Sequence, residues 1–190
     1  MSSRRNSPTS ASVLKKELAN ALREGTRDIS VSKLCKRAGI ARATFYLHFK
    51  SIDDVIAAIV DDIFDYLEAS VGELPDGADP VDQMTAQMQA TFEYREVLLA
   101  LFEMGKLDEV TRRARVATKE FLLKSYPDLR EHNGSERFED TLSFLVGGVA
   151  MLMETWLRST KNPRKEDRLV IQMTEMTQAL LSYGVGREVD

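Results

Sequence analysis

An all-α fold of about nine helices is predicted from three features of the sequence. Apolar residues recur at steps of three and four from residue 14 to residue 183, no stretch alternates apolar and polar residues over the length of a strand, and glycine or proline stands at several of the places where one helical pattern stops and the next begins, among them Gly25, Gly39, Gly105 and Pro127. There is no internal repeat and no low-complexity segment.

The chain has 190 residues, 43% hydrophobic and 29% charged, enough for a small domain followed by a larger one. No apolar run approaches the ~18 residues of a membrane span and no charged-then-apolar leader opens the sequence, so no membrane partner and a cytoplasmic location are expected. One cysteine, Cys35, excludes an internal disulfide. Only His48 and His132 could join it around a metal, so no zinc site of ordinary composition is expected. The net charge of -4 conceals a split: residues 1–50 carry 11 Lys and Arg against 3 Asp and Glu, and residues 51–190 carry 15 against 27. A basic head on an acidic body draws the head toward phosphates and repels the rest.

Residues 1–9 are polar, aperiodic and interrupted by Pro8, and are predicted to be a disordered tail in which Arg4 and Arg5 add diffuse attraction. From residue 10 to residue 24, Leu14, Leu18, Ala21 and Leu22 mark one apolar face, and Gly25 ends the helix. Two short helical patterns then meet at Ala38-Gly39-Ile40, where glycine allows the left-handed conformation that ends one helix and turns the chain into the next. Ser30 is the expected N-cap of the first. At about 100° per residue, the second puts Ala41, Phe45, His48 and Phe49 on one arc and Arg42, Ala43, Tyr46 and Lys50 on another. The second arc offers a guanidinium fork, a phenol and an ammonium group, a set suited to phosphates and base edges in a major groove. With Ser30, Ser32, Thr44 and His48 added, residues 10–50 read as a helix-turn-helix that contacts DNA through Ser30, Ser32, Arg42, Ala43, Thr44, Tyr46, His48 and Lys50.

The run AGIARATFYLHFKSIDDVI resembles the N-terminal domain of TetR-family transcriptional regulators, in which an A-G turn, a T-[FL]-Y-x-H-F recognition helix and an S-K-E-x-L-like link follow one another. Ala38, Gly39, Thr44, Phe45, Tyr46, His48, Phe49 and Ser51 fall on that pattern. Cys35 stands at a usual alanine, Ala43 at a usual glycine and Ile52 at the link's usual lysine, which removes one phosphate contact that neighbouring Lys50 can replace.

Ser51, with Asp53 and Asp54 inside the first turn, starts a helix over residues 51–73. In the resembled family this helix connects the head to the body. LPDGADP, residues 74–80, is a linker whose Asp79-Pro80 starts the next helix. Val81, Met84, Met88 and Phe92 follow at helical spacing, then Val97 to Phe102 as a short helix stopped near Gly105, then Leu107 to Phe121 as a long one ending near Pro127. After LREHNG, read as a loop, a helix apolar on most sides carries Phe138, Leu142, Leu145, Val149, Leu152 and Trp156 at near-heptad steps, with Gly147-Gly148 in the middle. Those glycines predict close approach of another backbone. Asn162-Pro163 is expected to cap a last helix with Leu169, Met173, Met176, Leu180 and Tyr183 on one face.

No phosphate loop, dinucleotide fingerprint or metal-binding helix motif is present, so neither enzymatic activity nor a cofactor is expected. The resemblance implies that residues 74–190 bind an effector and dimerise. Met84, Met88, Phe92, Phe102, Phe121, Phe144 and Met151 are the candidate lining of a pocket for a small apolar or amphipathic molecule. One of Arg112, Arg113 and Arg115 is a candidate to pair with an acidic ligand. The candidate dimer interface is Leu145, Gly148, Val149, Leu152, Trp156, Met173, Met176 and Leu180. The expected function is that of a homodimeric repressor released from a palindromic double-stranded DNA operator by an effector. The alternative is an effector-independent DNA-binding protein whose helical body recruits a protein partner.

Overall fold

The computed structural model describes residues 9–75, 77–158 and 162–184. Among them are nine α-helices, one 3-10 helix and no strand. In order these are α1 (Ser10–Arg23), α2 (Val31–Ala38), α3 (Arg42–His48), α4 (Ile52–Gly72), α5 (Pro80–Glu93), α6 (Arg95–Glu103), α7 (Leu107–Ser125), the 3-10 helix Pro127–His132, α8 (Glu136–Leu157) and α9 (Arg168–Gly184). None of them is long and apolar enough to cross a membrane. The chain divides into two compact units, one ending at Asp62 and one starting at Ile63, so that α4 contributes to both.

In the first unit α1, α2 and α3 pack on one another around Leu14, Leu18, Leu22, Leu34, Cys35 and Phe45. Cys35 is a buried free thiol. Expected caps form: the Ser30 hydroxyl accepts from the Lys33 N–H at 3.3 Å, and Ser51 accepts from the Asp54 N–H at 3.1 Å. Asp54 in turn accepts from the N–H of Lys50, the residue before the cap, at 2.8 Å, which ties the link to the first turn of α4. Thr9 belongs to this order rather than to a tail, because its hydroxyl accepts from the Ser12 N–H and caps α1. The rest of the expected tail, with Arg4 and Arg5, lies outside the described residues.

In the second unit, α8 packs on α6, α7 and α9, and α5 packs on α9. One core cluster joins Leu122, Leu129, Phe138, Leu142, Leu145, Val146 and Leu181; another joins Met88, Val170 and Met173. Asp79 accepts from the Val81 N–H at 2.7 Å with Pro80 in the first turn, as its sequence predicts. Two expectations are corrected. Residues 127–132 form a 3-10 helix, not a loop, because Leu129 is buried in the first cluster and holds the turn against it. The last helix starts at Arg168 and not directly after Pro163: the Asp167 N–H donates to the Arg164 carbonyl and the Asp167 carboxylate accepts from the Arg164 N–H, closing a separate turn first.

Glu139 ties α7 to α8 by accepting from Lys119 at 2.6 Å and from Arg115. The Lys119 hydrogen bond, followed by the charges of both bases, holds the Glu139 carboxyl below its ordinary value despite some burial. A carboxyl depressed on folding stabilises above its unfolded value and loses that contribution as pH falls through the folded one. Since the cluster is partly exposed, Glu139→Gln should lower the melting temperature by about 1–4 °C at neutral pH, with the deficit closing as pH falls below the ordinary carboxylate range. Thermal melts across that range check it, and a deficit constant with pH would contradict the pairing.

Candidate nucleic-acid interface and ligand cavity

The turn between α2 and α3 rests on Gly39, whose φ of +65° is the left-handed conformation that a side chain disfavours. Its consequence is a hydrogen bond from the Ile40 N–H to the Cys35 carbonyl at 3.0 Å, which ends α2 and frees the chain to start α3. α3 is anchored by one side chain. Phe45 is fully buried and meets Tyr46 edge-on at 5.3 Å between ring centres and Phe49 at 6.0 Å. With Phe45 inside, Arg42, Ala43, Tyr46 and His48 are exposed, Thr44 is half-buried, and Ser30 and Ser32 are exposed on the approach to and first turn of α2. Helical spacing places His48 on the packing arc, yet it stays exposed, while Phe45 is buried and Phe49 half-buried. Lys50 is also exposed, but it lies beyond the helix, because Phe49 is extended and α3 ends at His48.

The cations of this unit are sorted by what they meet. Arg37 donates to both oxygens of Glu24, at 2.7 and 2.6 Å, and to Glu17 at 2.9 Å, locking α2 to α1 and its approach. That contact raises Arg37 and lowers Glu24 from their ordinary values, first through the hydrogen bond between them. Lys15 pairs with Asp62 and Lys33 with Asp28. Among the described residues Lys36, Arg42 and Lys50 pair with no carboxylate. Sequence reasoning misses one residue of the outer face, Leu47, which is 81% exposed. The signal lies in its position about 200° round the helix from Phe45.

In the second unit a cavity of about 200 Å³ lies between α4, α5, α6, α7, α8 and α9. Of the candidate lining residues, Met84, Phe102 and Phe121 face it, together with Ile63, Leu67, Val71, Leu98, Val110, Ala114, Ala117, Val146, Val149 and Met153. Four other candidates do not. Met88 is fully buried against Val170 and Met173, Phe92 packs on Trp156 at 5.6 Å, and Phe144 and Met151 are 68% and 57% exposed. The three arginines of α7 meet the chain's own carboxylates: Arg112 pairs with Glu109, Arg113 with Asp65 at 2.9 Å, and Arg115 with Glu139. The acidic-ligand role is therefore not supported by any of them.

The candidate interface residues also divide. Leu145 and Met173 are buried, Val149 and Leu180 pack partly buried against the core, and Trp156 packs against the second cluster. Gly148, Leu152 and Met176 are exposed. The reason is that α8 is apolar on two sides: its near-heptad stripe faces the chain's own core except at Leu152, which is exposed and joins Phe144, Gly147, Gly148 and Met151 in a second stripe turned outward. Among the described residues no close approach is made at the glycines: outside the helix's own backbone, nothing lies within 4 Å of a Cβ placed on either.

Residues 19–59, from within α1 to within α4, match the model of the family described as bacterial regulatory proteins, tetR family. No curated protein sequence matches the chain. Among solved structures, a transcriptional regulator from Rhodococcus sp. Rha1 is 22% identical over 94% of this chain and 95% of its own, with a TM-score of 0.54. The TetR family transcriptional regulator PfmR from Thermus thermophilus is 15% identical over 89% of this chain and 96% of its own, at 0.45. The first is a likeness of fold, and the second superposes too loosely to define even that. What the head carries is more specific, since the matched segment contains the Gly39 turn, the buried Phe45 and the exposed face of α3. Residues 19–59 are thus similar to the head of the tetR family of bacterial regulatory proteins, and it is this segment that carries the resemblance.

Proposed function

We propose that this regulator is a homodimeric repressor whose α3 enters the major groove of a palindromic operator and whose second unit binds a small molecule that releases the DNA. The observation that carries the DNA reading is the exposed face of α3, where Arg42 and nearby Lys50 are not taken up by the protein's own carboxylates. Arg42 suits a base edge, Leu47 the methyl of a thymine, and Ser32, Thr44, Tyr46 and Lys50 suit phosphates. The dimer reading is supported by the outward apolar stripe of α8 and by Ile171, Met176 and Tyr183 exposed on α9. A two-fold axis through such a stripe buries it on both copies at once. The same stripe is what favours the alternative reading, a body that recruits a different protein.

Release requires a ligand that prefers one arrangement of the DNA-binding heads: changing a 99:1 preference to 1:99 takes about 5.5 kcal/mol of differential affinity, shared by two sites in a dimer. α4 is the proposed carrier, because Ile63, Phe64, Leu67 and Val71 on its second half line the cavity.

Arg42→Ala should cost roughly 1–3 kcal/mol on the specific operator and much less on random DNA, whereas Lys50→Ala should weaken both and reduce the salt slope by about one. Fluorescence anisotropy at several salt concentrations separates them, and equal losses for Arg42→Ala on both DNAs would remove it from base readout. Gly148→Glu tests the dimer cleanly, because the site is open within one chain and the variant should fold. Sedimentation should give half the parent mass; an unchanged mass excludes this face, and a monomeric parent supports the protein-partner reading. Leu67→Ala removes part of the cavity wall, so it should shift the ligand concentration needed for DNA release while leaving ligand-free operator affinity within about twofold. Release at the parent's concentration would show that α4 is not the route.

A further inference from the structure

We infer that the cavity of the second unit takes an uncharged, largely apolar molecule of about the size of a single-ring aromatic alcohol, whose polar group is read by the hydroxyls of Tyr126, Thr118 and Thr177. The inference deepens the effector reading above and rests on it for biological meaning, although the binding itself is independent of DNA.

Protein interiors carry few voids larger than a water molecule, and an apolar cavity of ~150 Å³ is enough to accept benzene. The ~200 Å³ here leaves room for a ring with a short substituent.

Of the described residues on the wall, Glu68 is the one carboxylic acid, and it is exposed. Among the described residues no lysine, arginine or histidine lines the cavity. A carboxylate or phosphate brought inside would lose its hydration and meet no counter-ion, and an ammonium would find its single acid at an exposed position. A neutral ligand avoids both costs.

The polar handles are specific. Thr91 and Thr174 also line the cavity, but their hydroxyls donate to the carbonyls of Gln87 at 2.7 Å and Val170 at 2.9 Å, one turn back on their own helices. The Gln83 amide donates to the Ala78 carbonyl at 2.9 Å, and Gln87 and Gln178 are exposed. Tyr126, Thr118 and Thr177 are half-buried on the wall and make no side-chain hydrogen bond among the described residues. Burial pushes the Tyr126 phenol up, so it remains a protonated donor at neutral pH. Three donor-acceptor hydroxyls on a mainly apolar wall are complementary to a hydroxyl or carbonyl oxygen, not to an ion.

The test uses the full chain and four probes of nearly one shape: phenethyl alcohol, phenylacetate, phenethylammonium and ethylbenzene. Calorimetry near neutral pH should show phenethyl alcohol binding at least about tenfold more tightly than either ion. Tyr126→Phe and Thr177→Val should each weaken the alcohol roughly two- to tenfold, the range of one hydrogen bond, and leave ethylbenzene within about twofold. Ala117→Leu, which fills the wall, should weaken all probes together; its helical circular dichroism checks that it folds, and the two isosteric variants stand without it. The proposal is overturned if either ion binds as tightly as the alcohol, if the hydroxyl variants affect alcohol and ethylbenzene alike, or if no probe binds. Anisotropy with operator DNA is run in parallel. Alcohol binding without DNA release would sink the effector reading and leave this site assignment; release by the ions alone would do the reverse.

Discussion

A seven-residue helix has little stability of its own in water, because one or two turns do not offset the cost of nucleation. The orientation of α3 therefore depends on the burial of Phe45 against α1 and α2, and every property of its outer face follows from that one contact. Removing so large a buried side chain costs on the order of 3–5 kcal/mol in a typical core, a large part of the net stability of a small unit. The aromatic contacts with Tyr46 and Phe49 extend the anchor along the chain. Gly39 completes the arrangement by permitting the sharp turn that brings Phe45 to the core.

Charge acts on top of this packing and in two different ways. Arg37 is occupied in joining α2 to Glu17 and Glu24, so it stiffens the head that presents α3. Arg42 and Lys50, without carboxylate partners among the described residues, keep their donors for something outside the chain. The acidic composition of residues 51–190 adds a longer-range repulsion from phosphate, which favours approach by the head.

The apolar residues of the second unit are divided between packing and open surface. They serve three ends: closed clusters around Phe138 and around Met88, the wall of a small cavity, and an outward stripe on α8. A ligand in the cavity would touch the second half of α4, and a partner on the outward stripe would cover α8, so the two events engage different surfaces of the same unit.

What the chain alone makes readable is local. The helix order, the caps at Ser30, Ser51 and Asp79, the left-handed turn at Gly39 and most of the exposed α3 residues are legible because each depends on a few neighbours in the chain. The family resemblance is legible in the same short run. Which apolar face meets which neighbour is a property of the tertiary structure. Periodicity identifies the stripe through Leu145 and Val149 on α8 but not that it faces inward, and it does not show that Phe144 and Met151 turn outward while Met88 closes a core. Nor does it show that the 3-10 turn at Leu129 replaces a loop, or that Asp167 delays α9. A stripe records that a side will be buried or covered; the partner that covers it is set by distant residues, and for α8 those lie across the fold on α6, α7 and α9.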